Sequence, residues 1–90
     1  STVAFRYFIA VADELNMTKA AAKLFISQQS LSAYIQRMEK QYGVTLFERK
    51  PSLQLTEADR AMYFYAKEIV LSEDKLTSRF ADITKTVEPT

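Results

Sequence analysis

Between Ser27 and Gly43 the sequence sets Gln28, Gln29, Ser32, Ala33, Tyr34, Gln36, Arg37 and Lys40 around an apolar stripe of Leu31, Ile35, Met38 and Tyr42. On a helix, about 100° per residue keeps the stripe within about 40° of Leu31, which makes it the buried side. Gln29, Ser32, Ala33, Gln36, Arg37 and Lys40 then share the opposite face, with Gln28 and Tyr34 on its flanks. A glutamine amide donates and accepts at once to the Hoogsteen edge of adenine, a serine hydroxyl serves either role, and an alanine is short enough to meet a thymine methyl. Such a face suits a DNA major groove. Gln28, Gln29, Ser32, Ala33, Tyr34 and Gln36 are the candidates for base readout, and Arg37 and Lys40 suit phosphate.

The elements that must position this face are legible on both sides of it. From Asn16 to Ser32 the apolar residues fall at Ala20, Ala21, Leu24, Ile26 and Leu31, the outline of two helices joined by a tight turn. Asn16 is placed to cap a helix from about Met17 to Leu24, and Ser27 to cap the next, which Gly43 closes in a left-handed conformation. Small side chains at Ala20 and Ala21 let the helices cross closely. The free N–H groups at these two starts make phosphate sites of Ser27 and of Thr18 with Lys19. Upstream, Phe5, Phe8, Ile9 and Ala12 form the stripe of a first helix that begins near Ser1 or Thr2 and ends near Leu15.

After Gly43, Val44–Phe47 and Leu53–Thr56 are β-prone runs around Arg49-Lys50-Pro51-Ser52, a two-stranded ribbon with a basic tip. A lone hairpin is marginal in water, so it must pack through Leu46, Phe47, Leu53 or Leu55. Arg49 and Lys50 at this wing suit an adjacent backbone or minor groove. Thr56-Glu57-Ala58-Asp59 has the form of a capping box, and no glycine or proline follows until Pro89. The helix implied is some thirty residues and about 45 Å long. Met62, Ala66, Ile69, Glu73, Leu76, Phe80, Ile83 and Val87 step along it by fours and threes, a coiled-coil seam with one polar break at Glu73. Met62, Ala66, Ile69, Leu76, Phe80 and Ile83 are therefore the expected dimer interface, although Met62 to Ile69 also suit folding back on the same domain.

Ninety residues, 48% of them hydrophobic, make one small domain with a modest core. The net charge of +1 is unevenly divided. Residues 1–56 hold seven basic against four acidic side chains, and residues 57–90 hold five against seven. The candidate DNA-facing half is the positive one. The chain has no histidine and no cysteine, and it shows no glycine-rich phosphate loop and no obvious paired-carboxylate site. That argues against an enzyme, a metal site or a disulfide framework, and no cofactor is expected. No apolar run approaches the roughly 20 residues of a membrane span, so the expected setting is cytoplasmic and nucleoid-associated.

Phe8-Ile9-Ala10-Val11-Ala12, Thr18-Lys19-Ala20-Ala21, Leu24, Ser27-Gln28, Leu31-Ser32, Ile35, Glu39, Gly43-Val44, Leu46-Phe47, Arg49, and Leu55-Thr56 with Ala58 closely resemble the N-terminal domain of LysR-type bacterial transcriptional regulators. The resemblance spans about residues 3–86. It implies a mainly α fold: a winged helix-turn-helix of three helices and a short β-hairpin wing, then a long dimerisation linker helix. It also implies an effector-binding α/β domain beyond this stretch, so that a small-molecule effector acts only through that domain and the full-length protein can reach a tetramer. Gln29 stands where proline is usual in the family, Ala33 where arginine is frequent, Ser52 where the wing often has arginine, and Asp59 where glycine is common. Some readout is thereby expected to move onto Gln28, Gln29 and Tyr34.

The organisation expected is a DNA-binding winged helix-turn-helix over residues 1–56, a linker helix over 57–86, and the start of a hinge over 87–90. The function expected is sequence-specific double-stranded DNA binding as a homodimer in transcription regulation. The alternative is a winged-helix module for protein assembly without DNA readout.

Overall fold

The computed structural model describes residues 1–86, with extents of 62 × 25 × 20 Å. α1 (Val3–Glu14) packs against all of the other helices and buries Phe8 and Val11 completely, while Phe5, Ile9 and Ala12 are half-buried around them. The expected stripe missed Val11 because a helix enclosed on several sides buries a wider arc than a single stripe. Leu15 ends α1 at φ 48°, its N–H donating to the Val11 carbonyl.

Asn16 Oδ1 accepts from the Lys19 N–H at 2.9 Å and starts α2 (Met17–Leu24), which buries Ala20 and Ala21. Phe25 closes α2 at φ 57°. Left-handed backbone costs a residue with a Cβ on the order of 1 kcal/mol, and the chain takes it at both Leu15 and Phe25. Ser27 Oγ accepts from the Ser30 N–H at 3.0 Å and starts α3 (Gln28–Tyr42). Leu31, Ile35 and Met38 are buried as expected, but Tyr42 is 48% exposed. Gly43, at φ 66°, ends α3 directly after Tyr42, so the ring lies at the rim of the core beside Phe5.

The wing is shorter than its β-prone runs. Only β1 (Phe47–Glu48) and β2 (Gln54–Leu55) form an antiparallel ladder, pairing Phe47 with Leu55 and Glu48 with Gln54. Backbone demand before β1 is met by α3 instead: the Val44 N–H donates to the Glu39 carbonyl at 3.1 Å, and the Leu46 N–H to Glu39 Oε2 at 2.8 Å. Leu46 and Phe47 anchor the wing in the core, with the Phe47 ring 5.5 Å from that of Phe8.

Thr56 Oγ1 accepts from the Asp59 N–H at 3.1 Å at the start of α4 (Glu57–Thr86), and its hydroxyl faces the Thr45 and Leu46 carbonyls at 2.7 and 3.1 Å. Only half of the expected capping box exists. Aspartate is a methylene shorter than the usual glutamate, and Asp59 turns inward, where Oδ2 has no hydrogen-bond partner.

The α4 seam divides between two uses. Ala66 is fully buried in its own domain, so its place in a dimer interface is corrected to packing within the subunit, while Met62 is half-buried. Glu73 is not a mere polar interruption: Thr2 Oγ1 donates to it at 2.5 Å and Arg6 at 2.8 Å, and Arg6 also reaches Asp74 at 2.8 Å. Ile69, Leu76, Phe80 and Ile83 remain exposed. Val87 and the hinge expected over 87–90 lie outside the described residues. Among the described residues, no helix is long and apolar enough to cross a membrane.

Candidate nucleic-acid interface

Two helix starts, the outer face of α3 and the wing tip supply the groups foreseen for DNA. Gln28, Gln29, Gln36, Arg37 and Lys40 are exposed or nearly so, while Ser32, Ala33 and Tyr34 are more covered. Ser27 Oγ is committed to Ser30, accepting from its N–H and donating to its Oγ at 2.9 Å, so that an incoming phosphate would meet backbone N–H groups there. Thr18 and Lys19, in the first turn of α2, are exposed. The Thr18 hydroxyl donates to Gln28 Oε1 at 3.0 Å, which ties the start of α2 to the start of α3.

Tyr34 occupies a different place from its neighbours on α3. Its ring meets Tyr7 edge-on at 4.8 Å, and the Arg37 guanidinium lies 4.6 Å from its centroid on the ring face. The phenol is therefore a shelf for Arg37, packed in turn against Tyr7 of α1.

Lys19, Arg37, Lys40 and Lys50 form no ion pair among the described residues, which leaves their charge available to an anion. Lys23, by contrast, is held by Glu14 at 2.7 Å. That hydrogen bond and its charge attraction raise the Lys23 pKa and lower that of Glu14. At the wing Arg49 leans toward Glu39 at 3.8 Å, and Lys50 is exposed.

Glu39 was not foreseen as a site residue. One oxygen holds the Leu46 N–H and the other faces Arg49, so a single carboxylate fixes the wing relative to α3. Its one mark in the sequence is an acid between Arg37 and Lys40. Glu39→Ala leaves a buried N–H unpaired and is expected to cost about 1–3 kcal/mol in a urea melt. Glu39→Gln, which keeps an acceptor, should recover most of it. The hydrogen bond from Thr18 to Gln28 and the stacking of Tyr7, Tyr34 and Arg37 were not foreseen either, since both join separate helices.

The family model described as "Bacterial regulatory helix-turn-helix protein, lysR family" matches residues 3–60. The HTH-type transcriptional regulator BenM of Acinetobacter baylyi is 38% identical over 86 residues, covering 91% of this chain and 28% of that protein. BudR of Raoultella terrigena is 40% identical over 81 residues, 89% of this chain and again 28% of the relative. The chain thus spans little more than a quarter of the length of these regulators. Among solved structures, the BenM DNA-binding domain in complex with catB site 1 DNA matches with a TM-score of 0.88 at 35% identity, covering 93% of this chain and 96% of that one. Full-length BenM matches with a TM-score of 0.80 at 37% identity, over 87% of this chain and 26% of that one. With its winged helix-turn-helix and long fourth helix, the chain belongs to the LysR family of bacterial regulatory helix-turn-helix proteins.

Proposed function

We propose that this chain is the double-stranded-DNA-binding and pairing portion of a LysR-type transcriptional regulator. The observation that carries the reading is the hydrogen bond tying the start of α2 to the start of α3, two helices that also expose Gln29, Gln36 and the cations Lys19, Arg37 and Lys40. Gln28, Gln29, Ser32, Ala33 and Gln36 read bases, with Tyr34 acting through Arg37. Thr18, Lys19, Ser27, Arg37 and Lys40 hold phosphate, and Arg49 and Lys50 reach the flanking DNA. Residues 1–56 are the binding unit and 57–86 the linker, which pairs two subunits through Ile69, Leu76, Phe80 and Ile83. Two α3 helices then enter successive major grooves, with half-sites about one helical turn apart or a multiple of it. The effector site and any tetramer interface belong to a further domain of a longer protein that works in the cytoplasm at the nucleoid.

Titration against fragmented genomic DNA at rising salt tests the proposal. Affinity should fall steeply, and Arg37→Ala with Lys40→Ala should reduce the log–log salt slope by about one for each phosphate that is no longer neutralised. A shallow slope that neither substitution changes would support the protein-assembly alternative instead.

A further inference from the structure

The three glutamines on or beside the reading face are not equivalent. Gln29 and Gln36 are exposed and make no side-chain hydrogen bond among the described residues, so either end of each amide can turn toward a base. Gln28 accepts the Thr18 hydroxyl at 3.0 Å. A threonine inside a helix commonly bonds back to a carbonyl three or four residues earlier. Thr18 is the second residue of α2, the carbonyls three and four residues earlier are those of Leu15 and Glu14 at the end of α1, and its hydroxyl crosses to α3.

We propose that Thr18 is a positioning residue that fixes the Gln28 amide with its oxygen turned to α2 and its nitrogen turned outward, so that Gln28 reads its base as a hydrogen-bond donor. The inference rests on the function proposed above. Donor readout has a definite chemical consequence. In the major groove guanine shows N7 and O6, adenine shows N7 and thymine shows O4, all acceptors, whereas cytosine shows only its N4 amino donor. The base facing Gln28 is therefore any base except cytosine. A free glutamine would instead accept from cytosine or grip adenine at both of its groups, and Gln29 and Gln36 keep that option.

Selection of bound sites from a random duplex pool, with the chain as wild type, Thr18→Val, Thr18→Ser and Gln28→Ala, tests this. The wild type should exclude cytosine at one position of each half-site, and Gln28→Ala should remove that exclusion. Thr18→Val, which keeps the shape and loses the hydroxyl, should raise the relative affinity for cytosine there about tenfold, while Thr18→Ser retains the wild-type profile. Thr18→Val should keep the helical circular-dichroism spectrum and the cooperative melt of the wild type, which separates reorientation from misfolding. Persistence of the exclusion in Thr18→Val overturns the positioning role. A profile unchanged in Gln28→Ala overturns Gln28 as a reader and leaves the proposed function standing. If the wild type binds no DNA, both fall together.

Discussion

Asp59→Asn is expected to raise stability above pH 7 by about 2–3 kcal/mol and to flatten its pH dependence between about pH 4 and 6. Asp59 is 1% exposed, and Oδ2 has no hydrogen-bond partner. Burial pushes its pKa up to about 6, opposed in part by the charge of Arg60. The folded chain therefore holds a proton more tightly than the unfolded one. As pH rises from the ordinary value of 3.8 through about 6, the unfolded state is ionised first and stability falls, then levels off. Glu14 and Glu73 act in the opposite sense. Lys23 lowers the pKa of the first, and Thr2 then Arg6 that of the second, so their contributions are lost as pH falls below the usual carboxylate range. Wild-type stability therefore falls as pH rises from about 4 to about 6, and the loss at Glu14 and Glu73 cuts it back on the acid side of that window. Thermal melts from pH 4 to 8 measure it. A wild-type curve that stays flat from pH 5 to 8 would sink the assignment.

The double substitution Leu76→Asp with Phe80→Asp is expected to yield a folded monomer and to weaken binding to a two-half-site DNA by about 100-fold or more. These side chains are 57% and 56% exposed, so their own subunit loses little when they change. Pairing normally turns the second half-site encounter into an intramolecular event, worth about 10²–10⁴ in affinity. Sedimentation equilibrium reads the first effect and a titration on single and paired half-sites the second. Ala66→Asp is the contrast, since that position is sealed in the core and a charge there should unfold the domain. A double variant that still sediments as a dimer would move the interface elsewhere on the chain.

Local chemistry made most of the fold legible from residue order. Asn16, Ser27 and Gly43 announce helix ends by interactions with backbone only a few residues away, and the structure shows all three in those roles. The mainly helical winged architecture followed from them. What escaped depends on partners distant in sequence. Val11 is buried because several helices enclose α1, the β-prone run of Val44 to Leu46 was claimed by the carbonyl and carboxylate of Glu39 on α3, and Asp59 turned into the core instead of back to its cap. The same division runs through the candidate site. A helical wheel separates the exposed Gln29, Gln36, Arg37 and Lys40 from buried Leu31, Ile35 and Met38. It carries no information on the Tyr7 ring that meets Tyr34 or the hydroxyl that holds Gln28, because each joins two helices whose docking no single helix encodes.

The grip of Thr2 and Arg6 on Glu73 and Asp74 gives α4 a mechanical character. Up to that point the helix is braced along its own domain. Beyond it, the remaining turns to Thr86 project for roughly 20 Å at 1.5 Å per residue. Glu73 is thus the fulcrum of a lever. A tilt of about 10° there displaces Thr86 by about 3–4 Å, and a load applied at that end reaches the first helix as torque through one guanidinium and one hydroxyl.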